Sequence, residues 1–183
     1  MNYQKRGLLL LVFCAFMFSC NDNKKSSDPT ADSSTNVLHR LSEQGEKWDV
    51  LGSKITGKIL SEDTNGEYSV IITETPPNGG PPKHTHTHED ELFYVMQGSY
   101  EFSYGDSLIK AEQGDMIHLP KGRSHSFKNV GSTMGKTMNT ITPGGFEGFF
   151  ADISTLSEQD LLGPKQIDSL SKLYEVRFVK AQD

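Results

Sequence analysis

From Val37 onward the chain reads as a series of short runs: "KWDVLGSKITGKIL", "EYSVIITE", "ELFYVMQGSYEFSYG", "SLIKAEQGDMIHLP", "HSFKNVG" and "KTMNTITPGG". They are rich in Val, Ile, Tyr, Phe and Thr, side chains that pack well on a pleated surface. Between them lie "DTNGE", "PNGGPP", "YGD" and "NVGS", where glycine and asparagine tolerate positive φ and proline breaks a ladder. This cadence predicts antiparallel strands joined by tight turns. One helical period appears, at the end. In "GPKQIDSLSKLYEV", Pro164 stands at a first helical position, and Ile167, Leu170, Leu173 and Tyr174 recur on one face. Evenly spaced strands before a terminal helix point to an all-β sandwich or barrel with a short C-terminal helix. No internal repeat is visible.

What precedes Val37 has a different character. Lys5 and Arg6 lead into an apolar run from Leu8 to Phe18. The run is about half the roughly 20 residues that a membrane-spanning helix needs, so residues 1–19 are expected to be a secretory signal. "FMFSC", followed by polar "NDNKKSSDPT", resembles a bacterial lipoprotein processing site, with Met17 and Phe18 where Leu and a smaller residue are usual. The resemblance implies a lipid anchor on Cys20 and an exported, membrane-anchored lipoprotein facing the periplasm or the cell surface. Residues 20–36, polar and almost free of apolar side chains, are expected to be a disordered tether to one folded domain over residues 37–183.

The chain has two cysteines, Cys14 and Cys20. The first lies in the expected signal and the second would be acylated, so the fold must rest on its core and not on a disulfide. Loss of Lys5 and Arg6 with the signal leaves 16 of the 18 basic residues against 24 acidic ones, a net charge of −8. Such a balance argues against a nucleic-acid surface.

"PPKHTHTHEDELFYVMQG" carries the chemistry. In a strand, residues two apart share a face, so His84, His86 and a continuing His88 would point the same way. Glu91 has the opposite parity to His86 and can join it only if a bulge or turn falls in "THED". Past that point Phe93 and Val95 share the face of Glu91. Two imidazoles and one carboxylate suit a borderline divalent ion, and a further ligand is expected from His125 in "GDMIHLPKGRSHSFKN", where Pro120 and Gly122 shape a turn. Taken singly, each of the six histidines reads as a surface or satisfied core residue, and His39 and His118 keep that reading.

At this point the sequence resembles the cupin superfamily. The first cupin motif, Gly, five residues, His-x-His, three or four residues, Glu, six residues, Gly, is met by His84, His86, Glu91 and Gly98, with Asn78 in place of its opening glycine. The second motif, Gly, five residues, Pro-x-Gly, two residues, His, three residues, Asn, is met by Gly114, Pro120, Gly122, His125 and Asn129. Residues 38–179 are also similar to single-domain cupins grouped with quercetin 2,3-dioxygenase-like proteins. The resemblance implies a small antiparallel jelly-roll barrel. It implies a divalent transition metal (Fe, Mn, Ni, Co, Cu or Zn) held by His84, His86, Glu91 and His125, two open coordination sites, Glu91 as a catalytic base when off the metal, and a homodimer. His88 leaves too few residues before Glu91 to satisfy the motif as a ligand, so it is expected to support the ligands or to sit at the barrel mouth.

Phe93, Val95, Phe127, Ile141 and Phe146, with Phe149 and Phe150, are the expected lining of a pocket for a small-molecule substrate; filling the core of a small barrel is the other use for them. Three functions fit. The first is a dioxygenase acting on a flavonol-like or other small aromatic or enolisable compound. The second is a non-redox isomerase or lyase with the metal as Lewis acid. The third is a non-catalytic small-molecule-binding surface lipoprotein. Fold alone does not choose among them.

Overall fold

The computed structural model describes residues 37–179. The expected signal of residues 1–19, the lipidation of Cys20 and the tether of residues 20–36 lie outside the described residues, as do residues 180–183. The first hairpin joins β1 (Glu46–Val50) to β2 (Ser53–Ile59). Its turn residues, Leu51 at φ 49° and Gly52 at φ 86°, both take the left-handed conformation that matches the twist of paired strands. β3 (Ser69–Thr75) buries alternate residues of "SVIITET". Then come β4 (His84–His86), β5 (Asp90–Gln97), β6 (Ser99–Tyr104), β7 (Ser107–Glu112), β8 (Met116–Leu119), β9 (His125–Asn129) and β10 (Gly135–Thr142). Two helices, α1 (Glu147–Glu158) and α2 (Pro164–Leu173), precede β11 (Val176–Phe178).

Among the described residues the strands form two sheets, ordered β1-β2-β3-β10-β5-β8 and β11-β4-β9-β6-β7. Every pairing is antiparallel. The architecture is the expected jelly roll. Its apolar interior has two parts. One gathers Trp48, Ile55, Ile71, Ile141, Phe146, Phe149, Ile153 and Val176, with α2 packed on it through Ile167, Leu170 and Tyr174. The other gathers Phe93, Val95, Tyr100, Phe102, Ile117 and Leu119.

The break expected in "THED" is a turn and not a bulge: β4 and β5 belong to opposite sheets, and residues 87–89 carry the chain across. Two local expectations need correction. The terminal helix is joined by another that was not expected, in the run after Pro143. It forms α1, in which Phe146, Phe149, Phe150 and Ile153 fall at helical spacing and pack inward. On α2, Leu173 is 68% exposed and leaves the packed face. It lies about 60° short of a full turn from Leu170, which at the helix end carries it past the stripe set by Ile167, Leu170 and Tyr174.

Asn129, the last residue of the second motif, ties the barrel rather than the metal. Its Nδ2 donates to the carbonyls of Thr75 and Thr133, each at 2.8 Å, and its Oδ1 accepts from Gly131 N at 2.9 Å.

No side chain caps α1 at Phe146. Instead the buried Glu147 carboxylate accepts from Ser61 N at 2.6 Å and Gly145 N at 2.8 Å, placing negative charge in the first helical turn. Burial would raise its pKa, but the hydrogen bonds from Ser61 and Gly145 outweigh burial and hold it below the usual 4.5. A carboxylate with a depressed folded pKa stabilises above the unfolded value, and the contribution fades as pH falls through the folded one. Glu147→Gln is therefore expected to cost about 1–2 kcal/mol at pH 7, since one charge-assisted bond is lost. In chemical denaturation the gap from wild type should close as pH drops below 4.5; a gap that is constant down to pH 2 would contradict the assignment.

Candidate metal centre

His84, His86, Glu91 and His125 converge in the barrel interior, where one ligand atom from each lies within 4.8 Å of the others. Each is placed by a simple local device. In β4 the alternation of "HTH" turns both histidines inward and Thr85 away. His84 stands directly opposite His125 on the neighbouring β9. Glu91 arrives from the facing sheet, on β5 between β10 and β8. All four are buried, with exposures of 8%, 1%, 5% and 1%.

The chain entering each strand sets its own histidine's tautomer. His84 Nδ1 donates to Pro82 O at 2.8 Å, and His125 Nδ1 donates to Arg123 O at 3.0 Å. In both cases the acceptor lies two residues earlier, and Nε2 is left to face the centre. His86 differs. Its Nδ1 is 3.4 Å from Glu89 Oε2 but poorly aligned for a hydrogen bond, so both buried atoms are otherwise unpartnered. Its Nε2 is 3.6 Å from Glu91 Oε2. His88 is not the supporting residue: its side chain is 57% exposed, with Nε2 2.6 Å from Glu175 Oε2. Because β4 ends at His86, strand parity no longer governs it. His39 and His118 are exposed, as expected.

Asn139 was not anticipated. It is 2% exposed on β10, diagonal to Glu91, and its Nδ2 donates to Glu91 Oε1 at 2.6 Å. The inward alternation of β10 runs Gly135, Thr137, Asn139, Ile141. An asparagine at an inward strand position needs a polar partner, and that signal was available in the sequence.

The electrostatics fit a cation. Burial pushes His84 down to about 4, with His86 and His125 beside it adding to the fall against Glu91. Burial would raise Glu91, but the His125 hydrogen bond and the charges of His86, His125 and His84 hold it at about 2. Burial would lower His125, but its bond to Glu91 and the carboxylate's charge raise it. A carboxylate thus remains ionised in an apolar interior, facing three imidazole nitrogens. The 4.8 Å spread is close to the roughly 4.2 Å that separates two ligands each about 2.1 Å from one ion. This buried cluster could hold a divalent metal ion.

A partly open cavity of about 90 Å³ lies beside the cluster, between the two halves of the core. Of the expected lining residues, Phe93, Phe127 and Phe146 face it, as do Phe149 and Phe150 of α1. Val95 and Ile141 do not. Each is 0% exposed and closed into one of the two apolar clusters. Phe146 stands edge-on to His86, with ring centroids 4.3 Å apart.

The fold and the cluster define a cupin-type barrel, and comparison with known proteins agrees. Residues 71–141 match the family described as Cupin domain. It is similar to quercetin 2,3-dioxygenase of Bacillus subtilis (strain 168), 29% identical over 89 residues that cover 49% of this chain and 26% of that protein. It is also similar to the oxalate-binding protein of Thermotoga maritima, 31% identical over 58 residues covering 32% of this chain and 48% of that protein. The chain thus spans less than half the length of these curated relatives. The structure of an RmlC-like cupin from Shewanella frigidimarina superposes with a TM-score of 0.53 at 18% identity, covering 62% of this chain and 96% of that one, and shows the shared fold.

One consequence concerns protons. Both His125 ring nitrogens face acceptors, Arg123 O and Glu91 Oε2, the latter at 2.9 Å, an arrangement that favours the protonated ring and raises its pKa. A metal needs the Nε2 lone pair. Binding of Zn²⁺ below the raised pKa of His125 is expected to release about one proton, with affinity falling about tenfold per pH unit as pH drops. Calorimetry in buffers of different ionisation enthalpy reads the proton directly; a heat independent of buffer would contradict it.

Proposed function

We propose that the chain is a metal-dependent dioxygenase acting on a small aromatic or enolisable compound. The observation that carries the reading is the buried three-histidine, one-carboxylate cluster beside a cavity faced by Phe93, Phe127, Phe146, Phe149 and Phe150. The partial similarity to a quercetin 2,3-dioxygenase supports dioxygen chemistry. A divalent transition metal, whether Fe, Mn, Ni, Co, Cu or Zn, held by His84, His86, Glu91 and His125 would supply Lewis acidity and, if redox-active, a route for electrons between substrate and dioxygen. The phenylalanines exclude water and offer flat faces to an unsaturated substrate. Asn139 holds Glu91 Oε1. Glu91 is the group placed to take a substrate proton when its carboxylate is off the metal.

The size of the cavity favours a second reading. A cavity of about 90 Å³ is well below the 300–1,000 Å³ of pockets that hold drug-sized ligands. A three-ring flavonol does not fit unless the phenylalanines of α1 move. A small acid handled by a non-redox lyase or isomerase, or simply bound, fits as the cavity stands, and the similarity to an oxalate-binding protein is in keeping with that. Oxygen uptake by the chain, loaded in turn with each metal and offered flavonols, simple enols and small hydroxy acids, separates the two. Turnover that continues without oxygen, or thermal stabilisation without product, would replace the dioxygenase reading.

We place this domain at a membrane surface, held by lipid on Cys20. Cys20→Ala is expected to shift the chain from the membrane to the soluble fraction and to abolish incorporation of labelled fatty acid.

A further inference from the structure

Of the three cluster histidines, His86 alone has no carbonyl for its outer ring nitrogen. His84 Nδ1 is taken by Pro82 O and His125 Nδ1 by Arg123 O, whereas His86 Nδ1 is buried without a hydrogen-bond partner. β4 ends at this residue, and the turn of residues 87–89 brings Glu89 back to the ring. Glu89 Oε2 is 3.4 Å from His86 Nδ1, and it too is buried and unpartnered. Both side chains are largely enclosed, with 1% of His86 and 13% of Glu89 exposed. Two buried polar atoms that face each other, neither with any other partner, are uncommon. Metal binding accounts for the pair. Once Nε2 gives its lone pair to an ion, the proton of the neutral ring sits on Nδ1 and needs an acceptor. From 3.4 Å, a small turn of the carboxylate brings Oε2 to the roughly 2.7–2.9 Å of a charge-assisted bond.

We propose that Glu89 is a positioning residue of the metal centre: its carboxylate accepts the Nδ1 proton of His86 and fixes that ring with Nε2 toward the ion. The inference rests on the cluster's being a metal site, as the proposed function holds. It gives Glu89 the supporting role expected of His88, while Glu89 itself touches neither ion nor substrate. Charge points the same way. Three neutral imidazoles and Glu91 leave a divalent ion with one positive charge unbalanced in an apolar interior, and the Glu89 carboxylate, one residue-width behind His86, offsets it.

The test titrates zinc into the metal-free full chain and into its Glu89→Leu, Glu89→Gln and Glu175→Gln variants. Glu89→Leu should weaken zinc binding about 10–100-fold, the loss that follows removal of a residue supporting a metal-bound histidine. Glu89→Gln keeps an acceptor oxygen without the charge and should recover part of that loss. Glu175→Gln, which removes a carboxylate from the exposed pair with His88, should bind zinc as wild type does. NMR of the nitrogen-labelled, zinc-loaded chain reads the bond itself. The His86 Nδ1–H signal should be downfield and protected from exchange in wild type, move in Glu89→Gln and lose its protection in Glu89→Leu, while those of His84 and His125 stay in place. A Glu89→Leu chain that binds zinc as tightly as wild type would overturn the proposal and leave the metal centre standing. Equal losses in Glu89→Gln and Glu175→Gln would reduce the effect to surface charge and overturn it as well. Failure of the wild-type chain to bind zinc removes the metal reading and the inference with it. If Glu89→Leu does not fold, the other spectra decide: a His86 Nδ1–H signal that ignores Glu89→Gln ends the proposal, and one that moves alone supports it.

Discussion

His125→Ala is expected to leave the chain folded and nearly unable to bind metal. Removing a ligand takes away one of four donors and also the partner that holds Glu91 Oε2 at 2.9 Å. Loss of a residue that merely supports a ligand costs roughly 10–100-fold in metal affinity, so loss of the ligand itself should cost at least about 100-fold. Elemental analysis after dialysis should find less than a tenth of the wild-type metal. The fold should survive for a chemical reason. Breaking a buried charge pair typically costs about 3–5 kcal/mol when one charge is stranded. Glu91 escapes part of that by taking up a proton more readily, since the His125 hydrogen bond that holds its pKa down is gone and burial is then opposed by His86 and His84 alone among the histidines. Asn139 Nδ2 can still donate to Oε1, and the smaller side chain leaves a cavity rather than a clash. A variant with wild-type metal content would mean that His84, His86 and Glu91 suffice or that the metal sits elsewhere; either outcome removes His125 from the centre.

Much of this centre was legible because a three-residue strand obeys a period of two. Once "HTH" is read as extended, His84 and His86 must share a face, and the burial of β4 follows that rule. The position of His125 opposite His84 depends on register, which no local pattern contains. The second motif supplied it by resemblance. Parity also placed Phe93 on the face of Glu91, but it could not tell cavity wall from closed core. Val95 is on the same face as Phe93 and still misses the cavity, because depth along a barrel strand is a tertiary property.

The helix α1 escaped notice for a different reason. "PGGFEGFFADI" is crowded with glycine and phenylalanine, which disfavour helix or favour strand, while the period of Phe146, Phe149, Phe150 and Ile153 was present and outweighed by that composition. What stabilises α1 is tertiary: an inward aromatic face against β1 and β11, and the Glu147 carboxylate bonded to Ser61 N across 86 residues of sequence. Asn139 belongs to neither motif, and in "KTMNTIT" it stands among strand formers, so its need for a buried polar partner shows only once the inward face of β10 is known. The same inward alternation that hid it also brings it to Glu91.

Gly80→Ala is expected to be among the most damaging single-atom additions in the fold, and Gly52→Ala supplies the comparison that shows why. Both residues have positive φ, 146° and 86°, so both alanines are strained. At Gly52 nothing lies within 4 Å of the added methyl group, and the cost is the conformational one alone, about 1–2 kcal/mol. At Gly80 the methyl would fall on the backbone carbonyl of Phe127, far inside contact distance. The obstacle is main chain in β9 and cannot rotate away. The loop carrying Gly80 is also tied to that strand: Asn78 N donates to Asn129 O at 2.8 Å, and Asn129 N donates to Gly79 O at 3.0 Å. Relief therefore requires breaking these bonds or pushing β9 outward, and β9 carries both Phe127 of the cavity wall and His125 of the cluster. Steric and conformational costs together should reach about 3–4 kcal/mol, against about 1–2 for Gly52→Ala, in urea denaturation of the metal-free chains. The two variants should separate further in metal binding. Gly52→Ala leaves zinc affinity unchanged, while Gly80→Ala lowers it about tenfold or more through the shift of His125. Equal destabilisation by the two alanines, or a Gly80→Ala chain that binds zinc as wild type does, would show that β9 does not need the loop's close approach to hold His125 in place.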